Sequence, residues 1–136
     1  MTTKEGVTYQ EFLERVIDDG IAAAKADYKD LKYPMDKARL EGSIEGFEAC
    51  RGKHPLDLQK LLWDARQKTQ LAFRRVNEKE IGDDDYWKIR SVEAEIEWTC
   101  NVISAMLINQ GMAPLDPLMP TARGVMKCAE IVGVGT

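Results

Sequence analysis

The sequence predicts an all-α protein, a single-domain bundle of about five helices with a proline-rich connector before the last. Three observations carry this. Apolar residues recur at steps of three and four, cap and stop residues punctuate those repeats at short intervals, and no strand-like alternation runs beyond four residues. At 136 residues the chain has the common size of one domain, and 44% hydrophobic against 31% charged residues gives enough apolar material for a core without metal or disulfide.

Residues 1–6 are polar and are expected to be flexible ahead of the first cap. Thr8 and Glu11 have capping-box spacing, and Val7 with Phe12 has the spacing of a hydrophobic staple. From Phe12 the run Leu13, Val16, Ile17, Ile21, Ala24, Tyr28 and Leu31 makes one apolar face, interrupted by Gly20, and Pro34 is expected to stop the helix near Lys32. A second helix is expected from Asp36, a good N-cap, to Gly52, a good residue just past a helix end. His54-Pro55 opens a third, since proline fits the first turn, and Leu58, Leu61, Leu62, Ala65, Thr69, Ala72, Phe73 and Val76 form its core face. Gly82 followed by Asp83, Asp84 and Asp85 places acidic groups at the positive end of a fourth helix, which runs to about Gln110 with Gly111 as its stop. Three prolines (Pro114, Pro117, Pro120) then force an extended connector over 112–120, and Thr121 caps a short fifth helix ending at Gly133.

Two helices have more apolar or small surface than one core face needs. On the second, Leu40, Ile44 and Phe47 form a large apolar face, while a separate arc carries Ala38, Gly42, Ser43, Gly46, Ala49 and Cys50. Gly42 and Gly46 would each cost about 1 kcal/mol in an exposed helix, so something should approach that arc closely: another helix, a second copy, or a ligand in a pocket. The fourth helix is amphipathic up to Trp98, with Ile89, Val92 and Ile96 inward, and apolar almost all round from Val102 to Ile108. One polar ridge persists along it (Arg90, Glu93, Glu97, Asn101, Ser104), which reads as a groove edge, a polar pocket, or a hydrogen-bonded partner contact.

A net charge of −4 argues against a general nucleic-acid or anionic-membrane binder. The third helix nevertheless carries six basic residues against three acidic between Leu56 and Lys79. Its outer ridge, Lys60, Trp63, Gln67, Gln70, Leu71 and Arg74, is the candidate partner-binding face, since Trp and Arg are favoured at interface hot spots. Trp63 either lies beneath the connector or the first helix, joins copies of the chain, or meets another partner. A homo-oligomer and a host protein partner are expected, without nucleic acid or membrane.

Chemistry for catalysis is sparse, and no catalytic residue is assigned. His54 is the sole histidine; Cys50, Cys100 and Cys128 have no zinc-site spacing and read as buried thiols of a reducing, cytoplasmic compartment. No phosphate loop or dinucleotide fingerprint occurs. No cofactor is therefore expected. The alternative is a Mg²⁺ site at which Glu41, Glu45 and Glu48 meet Glu93 and Glu97 from another helix. That pattern resembles the all-α NTP pyrophosphohydrolases, although Glu41–Glu48 lacks an adjacent glutamate pair and Glu80…Asp83 falls at the Gly82 turn.

The blocks Glu41-Gly-Ser-Ile-Glu-Gly-Phe-Glu-Ala-Cys-Arg-Gly-Lys53, Glu93-Ala-Glu-Ile-Glu-Trp-Thr-Cys-Asn-Val-Ile-Ser-Ala105 and Pro120-Thr-Ala-Arg-Gly-Val-Met-Lys-Cys-Ala-Glu-Ile-Val-Gly-Val134 resemble small uncharacterised proteins of bacteriophage and prophage genomes. The resemblance brings no functional motif. It implies an accessory protein that sequesters or inhibits a host component, a host defence component included.

Overall fold

The computed structural model describes residues 8–111. They form four α-helices: α1 (Tyr9–Asp27), α2 (Pro34–Cys50), α3 (Pro55–Asn77) and α4 (Asp83–Asn109), with no strand among the described residues. The all-α class stands, with four helices among the described residues where about five are expected for the chain. The flexible start, the connector over 112–120 and the fifth helix expected from Thr121 lie outside the described residues.

Local chemistry explains most helix ends. The Thr8 hydroxyl accepts from the Glu11 amide at 3.2 Å and donates to the Glu11 carboxylate at 3.0 Å, which fixes the start of α1. That helix stops at Asp27, one turn short of Lys32: the Tyr28 amide closes the last turn onto Ala24, and Leu31 is exposed rather than a continuation of the stripe. Pro34 does not trail α1 but opens α2. Its fixed φ suits the first helical turn, the extended Tyr33 is the N-cap, and Asp36 lies inside the first turn instead of capping it. Gly52 and Gly111, both at positive φ, follow α2 and α4. α3 ends without a glycine, because Lys79 takes the left-handed conformation (φ 61°) and the Glu80 amide reaches back to the Arg75 carbonyl at 2.8 Å.

α4 is the hub, flanked by α2 and α3, while α1 packs mainly on α2. The core joins Leu13 and Ile17 of α1, Phe47 and Cys50 of α2, Leu58 and Leu62 of α3, and Ile96, Cys100, Ile103 and Met106 of α4. On α2 the buried face is the small-residue arc, together with Phe47; Leu40 and Ile44 are only partly covered. Phe73, assigned to the core face of α3 by its spacing, is 53% exposed and instead tilts against Tyr86 with ring centroids 6.1 Å apart. Among the described residues no helix is long and apolar enough to cross a membrane.

Candidate functional site

Two surfaces stand out, one on the outside of α3 and one between α1 and α4. α3 is amphipathic: Leu58, Leu62, Ala65, Thr69 and Ala72 face α4, and the opposite ridge faces outward. Lys60, Trp63, Gln67, Gln70, Leu71 and Arg74 are all exposed. Trp63 is 51% exposed, Leu71 50%, and Leu56 in the first turn 77%, so large apolar side chains meet water along the helix. Toward the C-terminal end of the helix, Gln70 and Arg74 of the ridge border an aromatic cluster that sequence spacing had not singled out. Phe73 leans on Tyr86, Tyr86 meets Trp87 edge-on at 5.4 Å, and the Arg39 guanidinium lies 4.4 Å from the Trp87 ring centroid. The adjacent pair Tyr86-Trp87 behind an acidic first turn was the available signal.

The polar ridge of α4 changes environment along its length. Arg90, exposed, lies 5.8 Å from the Trp87 ring and donates to the Tyr86 hydroxyl at 3.4 Å. Glu93 is half-buried, and Glu97 accepts from Arg66 of α3 at 3.2 Å. Further on, Asn101 and Ser104 are buried, and the Asn101 Oδ1 has no hydrogen-bond partner among the described residues. A buried carbonyl in that state costs about 1–3 kcal/mol.

The five glutamates of the Mg²⁺ alternative are not brought together. Glu41 pairs with Lys88 at 3.9 Å, Glu48 with Arg51 at 2.9 Å and Glu97 with Arg66, each on a separate cation, while Glu45 is exposed. No group of three or more His, Cys, Asp or Glu side chains among the described residues is placed to hold a metal ion. The reason is rotational. On α2 the glutamates occupy the arc turned away from the packed glycines, so they line the outside of the α2/α4 seam.

The glycines themselves lie in that seam. A Cβ at Gly42 would collide with the Lys88 carbonyl oxygen and sit 2.8 Å from the Ser91 Cβ. One at Gly46 would lie 2.6 Å from the Val92 carbonyl oxygen and 3.0 Å from the Glu95 Cβ. What approaches the arc is thus the backbone of α4, nearer than any side chain permits.

On its other side α4 diverges from α1. The two meet near the start of α1, where Phe12 and Val16 pack on Val102 and Ala105. Beyond that a cleft of about 870 Å³ opens, with Phe47 and Ser43 of α2 as its floor and Trp98 on its α4 wall. Gly20 seats α1 on this floor, because a Cβ there would overlap the Phe47 ring. Glu95 projects from the α4 wall; burial, and secondarily the Asp27 carboxylate, push its carboxyl up to about 7. Burial also pushes the Cys50 thiol up to about 12 and raises Cys100, so neither is a ready nucleophile.

Compared with protein-family models, with curated proteins and with solved structures, the chain matches none.

Proposed function

We propose that this protein acts by binding rather than by catalysis, as a phage-encoded accessory protein that sequesters or inhibits a host protein through the outer face of α3. The observation that supports this most is the trio Leu56, Trp63 and Leu71, each half or more exposed on one helix, with Lys60 and Arg74 beside it. Water gains nothing from an ordered tryptophan on an outer ridge, whereas a partner that covers it recovers roughly 2–3 kcal/mol for one large side chain. The surrounding charge indicates the partner's chemistry. Arg74, Arg75, Lys60 and Lys68 are exposed along the helix of a chain whose net charge is −4, so an acidic patch with an apolar centre complements it. Gln70 and Arg74 of the same ridge line a shallow groove with Phe73, Tyr86 and Arg90, which continues the face toward the start of α4. Self-association rests on the same trio, and a second copy competes there with the target.

The test is Trp63→Asp. Far-ultraviolet circular dichroism should stay helical, because the side chain leaves the core untouched. Light scattering should show the assembly falling toward the 15.4 kDa of one chain, and capture of a host protein from bacterial lysate should be lost. An unchanged assembly mass with capture retained would remove this face from consideration.

A further inference from the structure

The cleft between α1 and α4 is separate from the α3 ridge, and its walls have a chemistry of their own. Its volume of about 870 Å³ lies within the few hundred to a thousand typical of small-molecule sites. Phe12, Val16, Phe47, Trp98 and Val102 make it apolar, and Tyr28 and Ala23 stand at its α1 edge. The charged groups that line it are Asp19, Asp27 and Arg15 from α1 and Glu95 from α4; α2 contributes none. Asp19, Asp27 and Arg15 are exposed at its mouth and Glu95 is partly buried on its wall, so three carboxylates against one guanidinium make the rim net negative. Glu95 has no ion pair among the described residues, whereas Glu97 on the same helix pairs with Arg66 of α3. Carboxylates on an aromatic wall favour an organic cation, whose charge meets the carboxylates while its body covers the rings. A bare metal ion suits the cleft poorly, since the described carboxylates do not converge as a ligand set.

We propose that the α1/α4 cleft binds a small amphiphilic organic cation, an aryl or alkyl body carrying a primary ammonium, with the ammonium held by Glu95 and Asp27 and the body laid on Trp98 and Phe47. The ligand restores to Glu95 the counter-charge that the fold withholds. It also completes the packing of α1 against α4 where the helices part. Because the Glu95 carboxyl titrates at about 7, the cleft takes the cation more strongly as pH rises past neutrality, while an alkylammonium of pKa about 10 stays charged throughout. Asp19, Asp27 and Arg15 are the other groups whose charge bears on that dependence.

Three probes with one body separate charge from apolar burial: 4-phenylbutylammonium, 4-phenylbutan-1-ol and 4-phenylbutyrate. Titrated into the full chain and followed by amide and indole NMR shifts, the ammonium should move the Trp98 indole and the amides of α1 and α4 around the cleft. It should bind at least about tenfold more tightly than the alcohol, with the carboxylate weakest. Glu95→Gln should bring the ammonium down to the level of the alcohol and remove the rise in affinity between about pH 6 and pH 8. Ala23→Trp, which places a ring over the cleft from an exposed position of α1, should abolish binding of all three probes. Shifts confined to other surfaces would overturn the proposal, as would equal affinity for ammonium and alcohol, or binding that survives Ala23→Trp. An absence of any shift, as when a second copy or another part of the chain already fills the cleft, would overturn it as well. None of these outcomes touches the α3 face, whose fate is decided by Trp63→Asp.

Discussion

Along α4, the side facing α2 and the side facing α1 meet their neighbours by opposite means. Against α2, Gly42 and Gly46 let backbone approach backbone, with the Lys88 and Val92 carbonyls where side chains would otherwise stand. Against α1, contact is made through side chains, Phe12 and Val16 on Val102 and Ala105, and beyond them a cleft opens above Phe47 with Trp98 on its wall. The seam excludes volume; the cleft retains volume and a partly buried carboxyl. The α2/α4 pair is therefore closed by the absence of side chains, while the α1/α4 pair meets through side chains at one end only. The closed side stabilises, and the open side is left for chemistry.

The largest expected effect tests the closed side. Gly46→Leu has to find room for four carbons where even one would stand 2.6 Å from a carbonyl oxygen, so α2 and α4 must separate and the core they share is exposed. A loss of about 3 kcal/mol or more is expected in urea denaturation, and a marginal protein would not fold at all. Ala23→Leu, on the open side, should change stability by no more than about 0.5 kcal/mol, since Ala23 lines the cleft and is exposed. Equal costs for the two substitutions would erase the distinction between seam and cleft.

These two regions were unequally legible in the sequence. Caps are local, so Thr8 with Glu11, His54-Pro55 and Gly111 mark helix ends without knowledge of the fold. The end of α1 was not legible in the same way, because Leu31 keeps the apolar period while the chain has already turned toward Pro34. Gly42 and Gly46 signalled a close approach, but not by what, since the Lys88 and Val92 carbonyls lie more than forty residues away along the chain. Phe73 shares the spacing of the α3 core line yet falls beside the start of α4, where Tyr86 takes it up. Glu95 was missed in the run Glu93-Ala94-Glu95-Ile96-Glu97, in which the glutamates look alike. Its angle was the available clue: at about 100° per residue it falls with Trp98 and Val102 rather than with the Glu93–Glu97 ridge.

An intermediate effect tests the open side through pH. Glu95 titrates at about 7 in the fold against an ordinary value of 4.5. Below about pH 4.5 the carboxyl is neutral in both states, and the fold carries no penalty. As pH rises through the window up to about 7 the unfolded chain ionises first, so the fold loses stability, and above it the penalty is complete. Glu95→Gln removes this term. After allowance for water in the cleft, the variant should be about 1–2 kcal/mol more stable than the parent near pH 8 and indistinguishable from it near pH 4. A difference that does not vary with pH would mean that Glu95 is solvated and that the cleft is no different from the outer surface.

The smallest effect concerns why α1 leaves α4 at one end and not at the other. Near its start α1 is tied to the end of α2 by Arg51, which donates to Glu14, to Asp18 at 3.1 Å and to Glu48 at 2.9 Å, and the Tyr9 hydroxyl donates to the Lys53 carbonyl at 2.7 Å. Beyond Asp18 no ion pair ties α1 to another helix among the described residues, so its C-terminal turns are held mainly by Gly20, Ile21 and Ala24. Arg51 is partly exposed, and water and salt screen its pairs; Arg51→Ala should cost only about 1 kcal/mol, less at high ionic strength. Its more telling signature is local. Amide exchange should quicken over the first turns of α1 and leave the glycine-bearing seam of α2 and α4 unchanged, because the seam is closed by shape and the first turns of α1 are fastened by charge. Exchange that quickens equally in α1, α2 and α4 would show that the two depend on one another, and that α1 opens only when the whole bundle does.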